Sequence, residues 1–242
     1  MSRPIAIIVA HGSPSVPVPL DLWIKVLALK VAALIPHVHV GGATLGMPRS
    51  LETECAKARP GEPILLYPFF MSDGWFTKVE MMRRAKAATS NPLVSLPAFG
   101  LDQGVASLCV RTVADELKRR GVSPEQSTLV LAAHGSMKNP ASANAARAIQ
   151  SAIRTMGTFR DVRLGFVEEP PTITEAADGL TGKPSVCLPL FATRGGHVTG
   201  DIPDQLAEAR FTGLILDPIG ERPEVDAIIA GALAWHALAS AS

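Results

Sequence analysis

Residues 129–136 read Leu-Val-Leu-Ala-Ala-His-Gly-Ser, and this stretch decides the fold. Five apolar residues run without a break into His134, Gly135 and Ser136. An uninterrupted apolar run bounded by turn residues suits a parallel strand buried on both faces. The histidine then falls at the strand's carboxyl end, the edge where open α/β sheets bind ligands. Gly135 permits a tight turn, and Ser136 can cap the helix that follows. The same signature stands at residues 7–13, Ile-Ile-Val-Ala-His-Gly-Ser. Two copies at matching points of two halves indicate a duplication.

Working outward, apolar strand-like runs alternate with helical periodicity along the whole chain. Strands are expected over residues 5–10, 37–42, 63–68 and 93–96 in the first half, and over 128–133, 162–167, 185–189 and 213–216 in the second. Helices are expected over 21–34, 48–57, 75–88 and 102–120, then over 139–156, 171–179, 197–209 and 223–239, some of these spans including a loop. This alternation predicts an α/β fold of two similar lobes, each a roughly four-stranded parallel sheet flanked by helices. The stretch Gly-Val-Ser-Pro-Glu-Gln at 121–126 marks the boundary, giving lobes over 1–122 and 123–242 with a cleft between their strand ends. Pro48 aligns with Pro170, Leu51 with Ile173, and Pro68-Phe69-Phe70 with Pro189-Leu190-Phe191.

Composition excludes several classes. The 242 residues carry 23 basic and 22 acidic side chains, a net charge of +1, so no basic field drives nucleic-acid binding. Aromatic residues are 5%, too few for a base-stacking surface. Cys55, Cys109 and Cys187 form no C-x-x-C pair and read as small buried hydrophobes in a reducing compartment. The start, Met-Ser-Arg-Pro, lacks the pattern of a signal peptide, and no apolar run reaches about 18 residues. These features lead us to expect a cytoplasmic protein with no membrane partner. There is no G-x-S-x-G, no G-x-x-x-x-G-K-[ST] and no convincing G-x-G-x-x-G.

The two copies differ where chemistry resides. His134 matches His11, but Phe76 stands opposite His197 and Gly46 opposite Glu168. The second half therefore carries two imidazoles and a carboxylate, each following a strand, whereas the first keeps only His11. A packed or capping role is the usual fate of one such histidine. Two histidines and a glutamate at equivalent strand ends point to shared chemistry, and the set suits a borderline divalent metal such as cobalt, iron, nickel or zinc. His37, His39 and His236 read as surface or structural residues. The loop Thr193-Arg194-Gly195-Gly196 reads either as a carboxylate-binding loop or as a plain tight turn.

Three motifs resemble one family: Ala-His-Gly-Ser in both halves, F-V-E-x-x-P at 166–171, and P-L-F-x-x-x-G-x-H-V-x-x-D-I-P at 189–203. Together they are similar to the class II chelatases of the CbiX/SirB type, the sirohydrochlorin cobaltochelatases and ferrochelatases, in a long two-copy form. The resemblance spans essentially the whole chain. It implies a lyase that inserts Co²⁺ or Fe²⁺ into sirohydrochlorin without ATP, for cobalamin or sirohaem synthesis. The partners it implies are the tetrapyrrole and a substrate metal, with no permanent cofactor, in a monomer or homodimer. The family's histidines fall on His134 and His197 and its glutamate on Glu168, as metal-binding and catalytic residues. Substrate carboxylates are assigned to Lys138, Thr193 and Arg194, and a contact with the macrocycle to His11. Some long-form members use the amino-terminal copy; Phe76 and Gly46 leave that work to the carboxyl-terminal copy here. Met137 stands where the family often has arginine, and Lys138 supplies the charge from the next position. The alternative reading is a metal or tetrapyrrole carrier without turnover.

Overall fold

The computed structural model describes residues 4–239; Met1 to Arg3, on which the expectation of no signal peptide partly rested, lie outside them. The chain divides into two compact units, Met1–Asp102 with Pro223–Ser242, and Gln103–Arg222. In the first, β1 (Ile5–Ala10), β2 (His39–Thr44), β3 (Ile64–Pro68) and β4 (Leu93–Ser95) form a parallel sheet of order β2-β1-β3-β4. In the second, β5 (Thr128–Ala133), β6 (Asp161–Phe166), β7 (Ser185–Pro189) and β8 (Leu214–Ile215) repeat that order as β6-β5-β7-β8, again parallel. All six residues of β1 and of β5 are buried, which is why their sequences carry no polar alternation.

Helices α1 (Pro17–Leu34), α2 (Ser50–Cys55) and α3 (Met81–Ala88) belong to the first unit. The second contains α4 (Gly104–Arg119), α5 (Ala141–Met156), α6 (Ile173–Ala177) and α7 (Ile202–Glu208). The last helix, α8 (Val225–Ala239), returns to the first unit and packs on α1 and β3, whereas α4 packs on α5 and β7. The divide therefore falls before α4, at Asp102–Gln103, and not at the expected 122–123. The apolar face of α4 marks it as a covering helix without saying which sheet it covers.

Local chemistry moves other boundaries. Helix α1 starts at Pro17, earlier than its periodicity suggests, because prolines in a first turn forfeit only an N–H that has no helical partner. The expected cap at Ser136 is absent: α5 begins five residues later, with Asn139 Oδ1 accepting from the Ala141 N–H at 2.9 Å. Ser136 Oγ instead accepts from the Lys138 N–H at 3.3 Å. Thr172 and Glu175 form a reciprocal capping box on α6.

All three cysteines are buried and free. Burial pushes the Cys109 and Cys187 thiols up to about 12, far from the thiolate form needed for reactivity. A buried polar knot stands in the first unit, with no like among the described residues of the second. Asp21, only 3% exposed, accepts from the Thr44 N–H and hydroxyl, each at 3.1 Å, from Ser50 Oγ at 2.6 Å and from Lys25 Nζ at 2.6 Å. It thereby ties α1 to the end of β2 and the start of α2. At the place of Thr44 the second unit has Phe166, fully buried, with the Arg147 guanidinium 5.3 Å above its ring.

Candidate metal centre

The centre grows from the carboxyl end of β5. The Val167 N–H donates to the Ala133 carbonyl at 2.9 Å, and the Glu168 N–H to the His134 carbonyl at 3.0 Å. These bonds extend the β5–β6 pairing past the named strands and set Glu168 beside His134. On the other side the Leu190 N–H donates to the Ala132 carbonyl at 2.7 Å, bringing the end of β7 alongside. Gly135 turns the chain with φ +70°, and a Cβ there would meet Phe166 Cβ at 2.8 Å and Glu169 Cγ at 2.9 Å. Both the backbone angle and the close approach require glycine.

His197 opens a single π-helical turn, His197–Asp201, that leads straight into α7. Such turns recur at functional sites because the widened backbone re-aims side chains. The His134 and His197 rings lie edge to face, with centroids 4.6 Å apart and planes at 82°. His134 Nδ1 is 3.7 Å from Glu168 Oε2. One ligand atom from each of His134, Glu168 and His197 falls within 4.8 Å of the others, the one such cluster among the described residues. A divalent ion with bonds of about 2.0–2.2 Å spans ligand atoms roughly 3–4 Å apart, so modest side-chain closure completes a three-ligand set. The histidines are half-buried and Glu168 is exposed, which leaves coordination positions open to another molecule.

Each imidazole has one nitrogen engaged. His134 Nδ1 lies 2.6 Å from the Gly135 carbonyl, and His197 Nδ1 lies 2.7 Å from Asp201 Oδ2. Both partners are acceptors, so Nδ1 carries the proton and Nε2 presents its lone pair. Phe191 sits beside both rings, its centroid 6.4 Å from that of His134 and 6.2 Å from that of His197.

Three further residues assigned from sequence also lie in the second unit. Lys138 is exposed in the turn after Ser136, and Thr193 is half-buried in the loop after β7. Arg194 is already engaged. Its guanidinium pairs with Asp217, its Nε lies 3.5 Å from Glu221 Oε2, and its backbone N–H donates to Glu221 Oε1 at 2.6 Å. The Asp217 hydrogen bond, with the charges of both carboxylates, holds Arg194 above the usual guanidinium range. The residue therefore anchors the loop that carries His197.

His11 belongs to the first unit. It lines a cavity of about 230 Å³ with Pro14, Leu45, Gly46, Trp75, Phe76 and Glu80. Sequence reading did not single out Asp201 or Phe191. The i, i+4 spacing from His197 to Asp201 within H-V-x-x-D was the available signal for the first.

Parallel sheets with side chains converging at strand ends define the fold as that of the chelatases. The CbiX family model matches residues 128–234. A solved structure, described as CbiX, the terminal enzyme for biosynthesis of siroheme in denitrifying bacteria, is 40% identical to this chain, with TM-score 0.85, covering 95% of this chain and 98% of that one. SirB from Bacillus subtilis with Fe³⁺ shares the fold at 19% identity and TM-score 0.77, covering 98% of this chain and 97% of that one. A probable sirohydrochlorin cobaltochelatase of Halobacterium salinarum is 25% identical over 166 residues, or 59% of this chain. The match spans 56% of that curated relative's length. The chain belongs to the CbiX family.

Proposed function

We propose that the second unit inserts Co²⁺ or Fe²⁺ into sirohydrochlorin, without ATP, in the synthesis of sirohaem or cobalamin. One observation carries the reading: His134, Glu168 and His197 present ligand atoms within 4.8 Å of one another, with open positions beside them. A 40%-identical relative described as the terminal enzyme of siroheme biosynthesis supports the substrate class.

Metallation strips water from the incoming ion and removes two protons from pyrrole nitrogens. The Nε2 lone pairs of His134 and His197 replace part of the hydration shell, and Glu168 supplies an oxygen on the same side. As the metal passes to the four macrocycle nitrogens, the two pyrrolic protons transfer to the vacated imidazole nitrogens or to Glu168, and from there to solvent. Two protons leave for each divalent ion inserted, so charge balances. The metal is a substrate, held by few enough ligands to depart.

Exposed Lys138 in the loop after β5 and half-buried Thr193 in the loop after β7 serve the substrate's carboxylates, with Arg194 anchoring the second of these loops. The first unit keeps His11 edge to face with Phe76, and Phe76 edge to face with Trp75, in its own apolar-lined cavity, where His11 is the group proposed to contact the macrocycle. The test is metallation of sirohydrochlorin followed by absorbance. His134→Ala and His197→Ala should each lower the rate at least about 100-fold. Near wild-type rates in both would overturn the assignment.

A further inference from the structure

We infer that Asp201 is a positioning residue for metal handling: it fixes His197 in the tautomer whose Nε2 lone pair takes the incoming ion. The inference rests on the chelatase reading for the purpose of His197, but its first test does not.

The geometry is local. His197 and Asp201 open and close one π-helical turn, with the Ile202 N–H donating back to the His197 carbonyl. Across that turn His197 Nδ1 and Asp201 Oδ2 lie 2.7 Å apart. His134 gains the same tautomer from the carbonyl of its own neighbour, Gly135. For His197 the recorded acceptor is a side chain, so the tautomer depends on residue 201.

The first unit supplies an internal control. It has the same one-turn π-helix, Phe76–Glu80, with a ring that carries no nitrogen. There the carboxylate at the place of Asp201, Glu80, is taken by Arg83, with hydrogen bonds of 2.8 and 2.7 Å. In the second unit Asp204 stands where Arg83 does, so a carboxylate replaces the cation that engages Glu80. The carboxylate pairs with a cation where no imidazole needs holding, and with the imidazole where one is present. Oxygen acceptors behind metal-binding histidines set ring orientation and tautomer, and losing them typically costs about 10–100-fold in metal affinity.

The test uses the full chain labelled with ¹⁵N-histidine and free of metal, so the tautomer is read whether or not the protein is a chelatase. Wild type should show His197 as the Nδ1–H form. Asp201→Ala should shift it toward the Nε2–H form and weaken Co²⁺ binding about 10–100-fold, with the His134 signals and the KM for sirohydrochlorin unchanged. Asp201→Glu keeps a carboxylate acceptor, the side chain the first unit already accommodates at this place, and should restore both tautomer and affinity. If His197 keeps the Nδ1–H form in Asp201→Ala, the inference fails. It fails equally if the tautomer shifts while Co²⁺ affinity stays within about twofold of wild type. A shifted tautomer with weakened Co²⁺ binding, in a protein that does not metallate sirohydrochlorin, would support Asp201's role while refuting the chelatase reading.

Discussion

The carboxyl ends of β1 and β5 share a backbone and differ in chemistry. At β1 the Gly46 N–H donates to the His11 carbonyl at 2.7 Å; at β5 the Glu168 N–H donates to the His134 carbonyl at 3.0 Å. His11 and Phe76 meet edge to face with centroids 4.2 Å apart and planes at 78°, nearly the 4.6 Å and 82° of His134 and His197. His11 Nδ1 even keeps its glycine carbonyl partner, Gly12 O, at 2.7 Å. The candidate metal centre is therefore a matter of two side chains on a shared frame. One of those differences is built into the backbone. A Cβ at Gly46 would approach Ser13 N at 2.8 Å and the Gly12 carbonyl carbon at 2.9 Å, so the first unit has no room for a carboxylate where the second has Glu168.

The largest effect should come from making the second unit resemble the first. His197→Phe should lower metallation by on the order of 10³-fold, because a ligand and proton acceptor is lost together. Its thermal midpoint should barely move, since Phe76 already packs against His11 in this arrangement. A large loss of stability would show instead that the imidazole is a structural group.

The next effect lies in the first unit's polar knot. Asp21→Ala should destabilise that unit by about 3 kcal/mol in denaturant unfolding, because Thr44, Ser50 and Lys25 lose a shared acceptor. Burial raises the Asp21 pKa, but the hydrogen bonds from Lys25, Ser50 and Thr44 more than offset this and leave it lowered. A lowered folded-state pKa means the contribution is complete above the unfolded value of about 3.9 and disappears as pH falls through the folded value. Acid unfolding of the first unit should show that loss in wild type and lack it in Asp21→Ala. Gly46→Ala, by overpacking against the His-Gly-Ser turn, should cost about 1–3 kcal/mol. The smallest effect should be His11→Ala, with a rate change below about threefold, well under the 1.36 kcal/mol that a tenfold change represents.

The sequence already showed much of this. The unbroken apolar runs of β1 and β5 announced buried parallel strands, and the offset between the copies exposed Glu168 and His197 as the divergent pair beside His134, which both copies share as His11/His134. Most of what escaped it depended on packing between segments distant in sequence, and the rest on a local backbone geometry that composition does not encode. The apolar face of α4 does not name its sheet, so the exchange of α4 and α8 between units could not be read. Arg194 looked like a free cation because Asp217 and Glu221, which hold it, come more than twenty residues later. The π-helical turns at Phe76 and His197 have no local composition signal, so the contact between His197 and Asp201 stayed hidden despite the i, i+4 spacing.

The central claim is that the second copy alone handles metal, and a Co²⁺ titration of the metal-free chain, followed through the ion's visible ligand-field bands, tests it most directly. One equivalent should bind in wild type, persist in His11→Ala and disappear in a His134→Ala/His197→Ala double variant. Retention of that equivalent in the double variant, or its loss in His11→Ala, would contradict the account.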